Sequence, residues 1–323
     1  MSEVCPSGSF THTMLLAASP EALAGEAVPV IQRALSDGAS VHVNLSCDRL
    51  AALRAGLGPG TAAVSFTDTA KWQAHPLRRL RAIHDVVDEQ LAAGTDRLCF
   101  LGECAWPEAD PVLRAEWERF DAVLNCAFAD RPVTMACVYD PAAQSTATIE
   151  RARASHPYLG LAAPVPCGEY LPPEQVLVTA RPDALPVPEC AVRLAGPKGA
   201  AVRAQLAALL QGPGMGALGG GVDPEVCDAL LVATSELVTN SQQAGAATIE
   251  IACWREGRWA MVQVDDDGPG LADALAGYRL PPLDALGGRG LWITRQLVDA
   301  VDVASGDWGT SVRLRLGCLE GGA

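Results

Sequence analysis

The chain has 323 residues, 49% hydrophobic but only 5% aromatic, so leucine, valine and alanine must fill most of the interior. Its 24 Lys and Arg against 38 Asp and Glu leave a formal charge of −14, which argues against nucleic acid or an anionic membrane as a general partner, because phosphate-rich surfaces are bound through a cationic surplus. The 11 cysteines include no Cys-x-x-Cys pair. With no basic leader before an apolar run and no stretch of roughly 20 apolar residues, they predict a soluble, cytoplasmic chain with reduced thiols.

The length predicts two domains with separate cores. Residues 13–17 read as a strand and 21–35 as a helix, with Ser19 and Pro20 supplying its cap and first turn. Further strands fall at 41–45, 63–66, 97–101 and 134–139. Helices fall at 47–55, stopped by Gly56, at 76–91, stopped by Gly94, and at 113–127. Strands alternating with helices of this length imply an α/β domain with a mostly parallel sheet and flanking helices. Gly56-Leu57-Gly58-Pro59-Gly60 lacks the lysine of a phosphate loop. The closest cysteine pair, Cys99 and Cys104, has no nearby histidine or second pair to complete a zinc site.

Two segments carry a resemblance. Leu101-Gly102-Glu103-Cys104-Ala105-Trp106-Pro107 and Phe120-Asp121-Ala122-Val123-Leu124-Asn125-Cys126-Ala127-Phe128 resemble the MEDS (DcmR-type) sensory domain. That domain usually shows Gly-Glu-Pro-x-Trp and His-Glu-x-Leu-Leu-Asn-x-Ala-Phe, so Cys104 stands where proline is usual and Phe120-Asp121 where His-Glu is usual. The resemblance implies a small-molecule signal read by this domain. Residues 156–190 are rich in proline and glycine, which forbids a continuous helix or central strand. The expected organisation is a sensory domain over 10–158, a linker over 159–187 and a second domain over 188–323.

In the second domain a helical pattern at 202–210 precedes a glycine-rich loop at 212–221. Asp223 and Pro224 then read as cap and first turn of a helix whose Cys227, Leu230, Leu231, Thr234, Leu237, Val238 and Ser241 form an inward stripe. Glu236 and Asn240 sit four apart on its flank. A carboxylate beside a carboxamide can position a metal-bound water and take a proton; for the pair alone, two polar residues on a wet helix face is the simpler reading. A half-buried strand at 248–253 and a partner at 259–264 read as a hairpin that opens into Asp266-Asp267-Gly268-Pro269-Gly270. A buried carboxylate at Asp266 can accept a hydrogen bond from an exocyclic amine, and an acidic surface turn is the alternative. The aspartate spacing does not fit a calcium loop. Gly287-Gly288-Arg289-Gly290 opens a helix over 291–301, where backbone N–H groups and the helix dipole suit an anion such as a triphosphate. Thr310 starts a last strand, with Val312, Leu314 and Leu316 alternating with Arg313 and Arg315, and can place a hydroxyl beside Asp266.

Taken in order, Glu-x-x-x-Asn, Asp-x-Gly-x-Gly, Gly-x-Gly-Leu and Gly-Thr resemble the GHKL (Bergerat-type) ATP-binding fold over about 190–318, an α/β sandwich with a mixed sheet. Ser235-Glu236-Leu237-Val238-Thr239-Asn240, Gly288-Arg289-Gly290-Leu291-Trp292-Ile293 and the short lid between Gly270 and Gly287 are similar to the RsbW-like group of anti-sigma-factor serine kinases. With a MEDS-type domain ahead of it, the chain resembles the RsbA family of anti-sigma regulators. The resemblance implies ATP and Mg²⁺ as cofactors. It gives Asn240 to the metal, Glu236 to general base catalysis on a serine hydroxyl, and Asp266 to adenine. Gly268 and Gly270 would shape the pocket, Gly288, Arg289 and Gly290 would wrap the phosphates, and Thr310 would support the adenine end. It implies a sigma factor and an anti-sigma-factor antagonist as partners, and a homodimer. The family's basic residue or histidine three or four places after the asparagine is replaced by Gln243 and Ala244. Two other readings stay open. One is a sensor histidine kinase using His84 of Leu80-Arg81-Ala82-Ile83-His84-Asp85, although a helix-surface histidine accounts for it too. The other is an ATP-responsive module that sequesters a partner without transferring phosphate, which the missing basic residue favours.

Overall fold

The computed structural model describes residues 10–72, 75–104, 106–177, 183–195, 200–211, 222–279 and 288–317; Ala105, the glycine-rich loop 212–221 and the lid residues 280–287, Gly287 included, lie outside them. The chain forms two compact units, Met1–Val176 and Leu177–Ala323.

In the first unit β1 (Thr11–Leu16), β2 (Ser40–Leu45), β3 (Val64–Asp68), β4 (Leu98–Glu103) and β5 (Val133–Tyr139) pair in parallel in the order β3-β2-β4-β5-β1. The crossovers are α1 (Pro20–Ser36), α2 (Cys47–Leu57), α3 (Thr69–Trp72) with α4 (Pro76–Ala92), and α5 (Pro111–Ala127). Local chemistry starts these helices. Ser19 Oγ accepts the Ala22 N–H at 3.1 Å, and Asp110 Oδ1 accepts those of Val112 and Leu113. Each cap is followed by a proline, whose missing N–H costs nothing in a first turn. Gly56 does not stop α2 as expected. A Cβ there would meet Val28 Cγ2 at 2.7 Å, so this glycine lets α1 and α2 approach, and the helix ends instead at Gly58, with φ +55°.

One sheet face, with Leu15, Val41, Val43, Leu101, Ala136 and Val138, packs against Leu23, Ala27, Ile31, Leu50 and Leu53 of α1 and α2. Strand alternation turns His12, His42, Asn44, Phe100, Met135 and Cys137 to the other face. That face shares a cavity with Ile83 and Val86 of α4 and Phe120 and Leu124 of α5.

A sixth helix, α6 (Thr146–Ser155), has no counterpart in the expectations above, and it leads into the proline-rich stretch. There β6 (Tyr158–Leu159) pairs in parallel with β1, β7 (Val165–Pro166) pairs back on β6, and α7 (Pro173–Val176) follows. The last residues of the stretch dock on the second unit: the Leu185 N–H donates to Ser311 Oγ at 3.3 Å and its carbonyl accepts from Gln263 Nε2 at 2.9 Å.

The second unit is a five-stranded sheet of β8 (Val192–Ala195), β9 (Ile249–Glu256), β10 (Trp259–Asp266), β11 (Ala300–Gly306) and β12 (Gly309–Gly317), in the order β11-β12-β10-β9-β8. Every pairing among the described residues is antiparallel, where a mixed sheet was expected. Two hairpins set β9 beside β10 and β11 beside β12. Because β12 lies between them, β10 and β11, which run the same way, do not pair.

Helices α8 (Ala200–Gln211), α9 (Pro224–Gln243) and α10 (Gly290–Leu297) cover one face, where Leu206, Leu230, Leu237 and Leu291 meet Ile251, Val262, Val264, Val312 and Leu314. Val187 and Ala191 cover Ala252, Trp254 and Met261 on the other, so β9, expected to be half-buried, is buried on both faces in its middle. The helix expected over 291–301 ends at Leu297. Val298 turns extended (φ −114°, ψ 161°), and Val301 and Val303 pair with Leu314 and Val312 in β11, where β-branched side chains fit a pleated surface.

Candidate functional site

The α9 helix is capped as its sequence dictates, with Asp223 Oδ1 accepting the Glu225 N–H at 2.8 Å. Its stripe of Cys227, Leu230, Thr234, Leu237, Val238 and Ser241 is buried, with Ala233 in addition and Leu231 half-buried. Glu236 and Asn240 are half-buried on the flank that meets the start of α10. A Cβ on Gly290 would lie 2.8 Å from Asn240 Oδ1, 2.9 Å from Asn240 Nδ2 and 3.1 Å from Glu236 Oε2. Two motifs fifty residues apart in sequence therefore lie side by side, and a larger residue at 290 would have to displace the Asn240 and Glu236 side chains. The N-cap residue Arg289 does not itself cap α10 with its side chain, and the helix dipole places partial positive charge at this end. Gly288 precedes it with φ +83°.

Asp266 ends β10, directly opposite Thr310 of β12. Alternation puts both on the helix-covered face with Val264 and Val312. The Asp266 carboxylate is half-buried and already held. Its Oδ2 accepts from Ser241 Oγ at 2.6 Å and its Oδ1 from the Gly268 N–H at 2.9 Å, leaving lone pairs for a further donor. Ser241 has one proton and two acceptors within reach, and the Leu237 carbonyl is the farther at 3.2 Å. Ser241 is thus a positioning residue that sequence reading placed only in the core stripe; its position right after Asn240 was the one available signal. Gly270, at φ +81°, lies so close to the Gly306 carbonyl that a Cβ would meet its oxygen at 2.7 Å. Asp267 is exposed and ties the turn to the loop before β9. Its carboxylate accepts the N–H groups of Ala247 and Thr248 at 2.8 and 2.9 Å, and these hold it below the usual carboxylate range.

A cavity of about 130 Å³ opens between α9 and the sheet, lined by Asn240, Ser241, Asp266, Gly270, Thr310 and the apolar Leu237, Val264, Leu271, Leu291, Val303 and Val312. The wall is mostly apolar, with the Asp266 acceptor and the Asn240 amide among its few polar groups. Glu236, Gly268, Arg289 and Gly290 are not on that wall; Glu236 and Gly290 join it through Asn240. Ala244 lines the cavity where a longer basic side chain was expected, and Gln243 is exposed.

The first unit holds a larger cavity, about 280 Å³, lined among others by His42, Asn44, Arg79, Gln90, Phe100, Cys104 and Phe120. Both departures from the sensory-domain pattern that carry bulk, Cys104 and Phe120, stand on this wall. Asp121 beside them is fully buried and accepts from the Tyr139 hydroxyl, and burial pushes its carboxyl up to about 7. His84 is not on the helix surface. It is 9% exposed and stacked on Phe128 at 4.4 Å, and burial lowers its pKa.

Residues 11–157 match the family model of MEDS, the MEthanogen/methylotroph, DcmR Sensory domain, and residues 200–316 match that of the Histidine kinase-like ATPase domain. The chain joins a MEDS sensory domain to a histidine kinase-like ATPase domain. None of the curated proteins matches it. Among solved structures, the Erythrobacter litoralis EL346 blue-light activated histidine kinase is similar, at 26% identity and a TM-score of 0.23 over 31% of this chain and 33% of that one. The chain therefore spans about a third of that protein's length, a likeness too partial to bear on function. A histidine kinase-like ATPase domain implies nucleotide binding, usually with Mg²⁺. The residues present fit both: the Gly290 seam beside Asn240 and Glu236 is a cradle that any other side chain would fill, and Asp266 is an oriented acceptor in an apolar slot. No helix among the described residues is long and apolar enough to cross a membrane.

Proposed function

We propose that the chain is an RsbA-type signalling regulator that binds ATP–Mg²⁺ in its second unit and acts as an anti-sigma factor and serine kinase on an antagonist protein. The observation that carries this reading is the contact of Gly290 with both Asn240 and Glu236, which joins a phosphate-binding helix start to a carboxamide and a carboxylate in one place. Asp266, oriented by Ser241 and Gly268, accepts the exocyclic amine of the base, and Thr310 sits across the sheet from it. The apolar slot stacks the base and excludes water. Residues 288–290 and the first turn of α10 offer backbone N–H groups to the phosphates. Asn240 holds the divalent ion, which when bound neutralises phosphate charge. Glu236, one helical turn before Asn240, accepts the proton of an incoming serine hydroxyl. The signal is a small molecule in the 280 Å³ cavity of the first unit.

Purified full chain incubated with labelled ATP and candidate antagonist proteins tests the proposal. Acid-stable label on a partner serine is expected. Acid-labile label on His84 would overturn it in favour of a sensor histidine kinase, a reading that the burial of His84 disfavours. Nucleotide binding with no transfer would favour a sequestering module instead, the reading that Ala244 in the cavity wall supports.

A further inference from the structure

The sheet order β5-β1-β6 brings together three side chains that are far apart in sequence. Cys137 is on β5, His12 on the neighbouring β1, and His156 lies just before β6 on the other side of β1. One ligand atom from each lies within 4.8 Å of the other two, and all three residues are buried.

Hydrogen bonds fix how these rings face. Both amide hydrogens of Asn125 go to carbonyls, those of Ala122 and Ser155, so the Asn125 oxygen, 3.2 Å from His12 Nδ1, accepts a hydrogen bond from the Nδ1–H. His156 Nδ1 is 2.6 Å from the Ala152 carbonyl, which can only accept. Both imidazoles therefore carry their proton on Nδ1 and present a bare Nε2 lone pair. His12 Nε2 lies 3.3 Å from Cys137 Sγ, and His156 Nε2 is buried with no hydrogen-bond partner among the described residues. One thiol proton serves one lone pair at most, so the other is left as an uncompensated buried acceptor, which is destabilising.

We propose that His12, Cys137 and His156 form a binding site for a borderline-soft transition-metal ion of the Zn²⁺ class. Two nitrogens and a thiolate are the donors such ions select. Zinc–nitrogen and zinc–sulfur bonds of about 2.0–2.1 and 2.3 Å at a tetrahedral angle set N and S about 3.5 Å apart, close to the 3.3 Å between His12 and Cys137. Asn125 and the Ala152 carbonyl stand where metal-ligating histidines usually find their outer partners. Binding replaces the S–H bond of Cys137 with a metal–sulfur bond and releases one proton to solvent. Cys137 also lines the 280 Å³ cavity, which gives the ion a route in, and Cys104 and Asp121 hold further ligand atoms within 4.8 Å of its sulfur.

The test is Co²⁺ added to full-length protein first stripped with a chelator, read by absorption. The expected result is a thiolate-to-cobalt charge-transfer band that saturates at one ion per chain and disappears on adding Zn²⁺. Cys137→Ser abolishes it, and Asn125→Ala, which touches no ligand atom of the ion, weakens binding by roughly 10–100-fold. Asn240→Ala, in the other unit, leaves the band unchanged. Absence of a charge-transfer band in wild-type protein would overturn the proposal. So would a wild-type band in Cys137→Ser, and because the first result uses the native chain, misfolding of a variant cannot mask it.

Discussion

The side-chain amide of Asn240 lies against the Cα of Gly290 so closely that a methyl group there would sit 2.8 Å from Oδ1 and 2.9 Å from Nδ2. Substituting Gly290 with alanine must therefore push Asn240 and Glu236 out of place or open α9 from α10. Overpacking of this kind costs about 1–3 kcal/mol, and if it falls on the bound state, ATP affinity drops about tenfold or more. Titration calorimetry on the Gly290→Ala variant checks this, with far-ultraviolet circular dichroism expected to show an unchanged fold.

Ser241 acts through Asp266. Removing its hydroxyl in Ser241→Ala takes one of the two hydrogen bonds that aim the carboxylate, a charge-assisted bond of about 1.5–3 kcal/mol. Affinity for ATP is expected to fall by roughly tenfold, while Ser241→Thr, which keeps the hydroxyl, retains most of it. An equal loss in both variants would show that packing, not the hydrogen bond, matters at this position.

In the proposed function Glu236 moves a proton and does not hold the nucleotide. In Glu236→Gln the transfer of phosphate to a partner serine should fall by about 100-fold or more, with ATP affinity unchanged. If transfer continues at the wild-type rate, another group is the base.

Much of this was legible in the sequence where chemistry is local. Ser19, Asp223 and their following prolines start helices as expected, and Glu236, Asn240, Asp266 and Thr310 fall where their spacing put them. The misreadings all arise where a distant segment decides. Val298 and Val301 continue the apolar spacing of α10, yet 300–306 is a strand because β12 pairs with it. The proline-rich stretch carries only brief order, as its proline density requires: the two-residue strands β6 and β7 and one turn of helix, with Val187 covering Trp254 further on. His84, inside the helix–strand pattern of the first unit, read as a helix-surface residue, whereas its ring is buried and stacked on Phe128. His12, Cys137 and His156 share no sequence pattern at all; the order of strands alone makes them neighbours.

Burial holds the His84 imidazole below its usual 6.5, outweighing the attraction of Asp88. Its folded pKa is lower than its unfolded one, so the stability it contributes is complete above about pH 6.5 and lost as pH falls toward the folded value. Melting temperature is expected to drop on acidification below 6.5, and the drop should be smaller in His84→Phe, which keeps the stack on Phe128. An identical acid profile in the variant would show that other groups set it.

The central claim is that the second unit encloses ATP between Asp266 and Asn240. Calorimetric titration of the full chain with ATP and Mg²⁺ tests it most directly, alongside Asn240→Ala and Asp266→Asn. Saturable binding of one nucleotide per wild-type chain and no detectable heat in either folded variant is the predicted result. Wild-type affinity in either variant, or no binding by the wild-type chain, would contradict it.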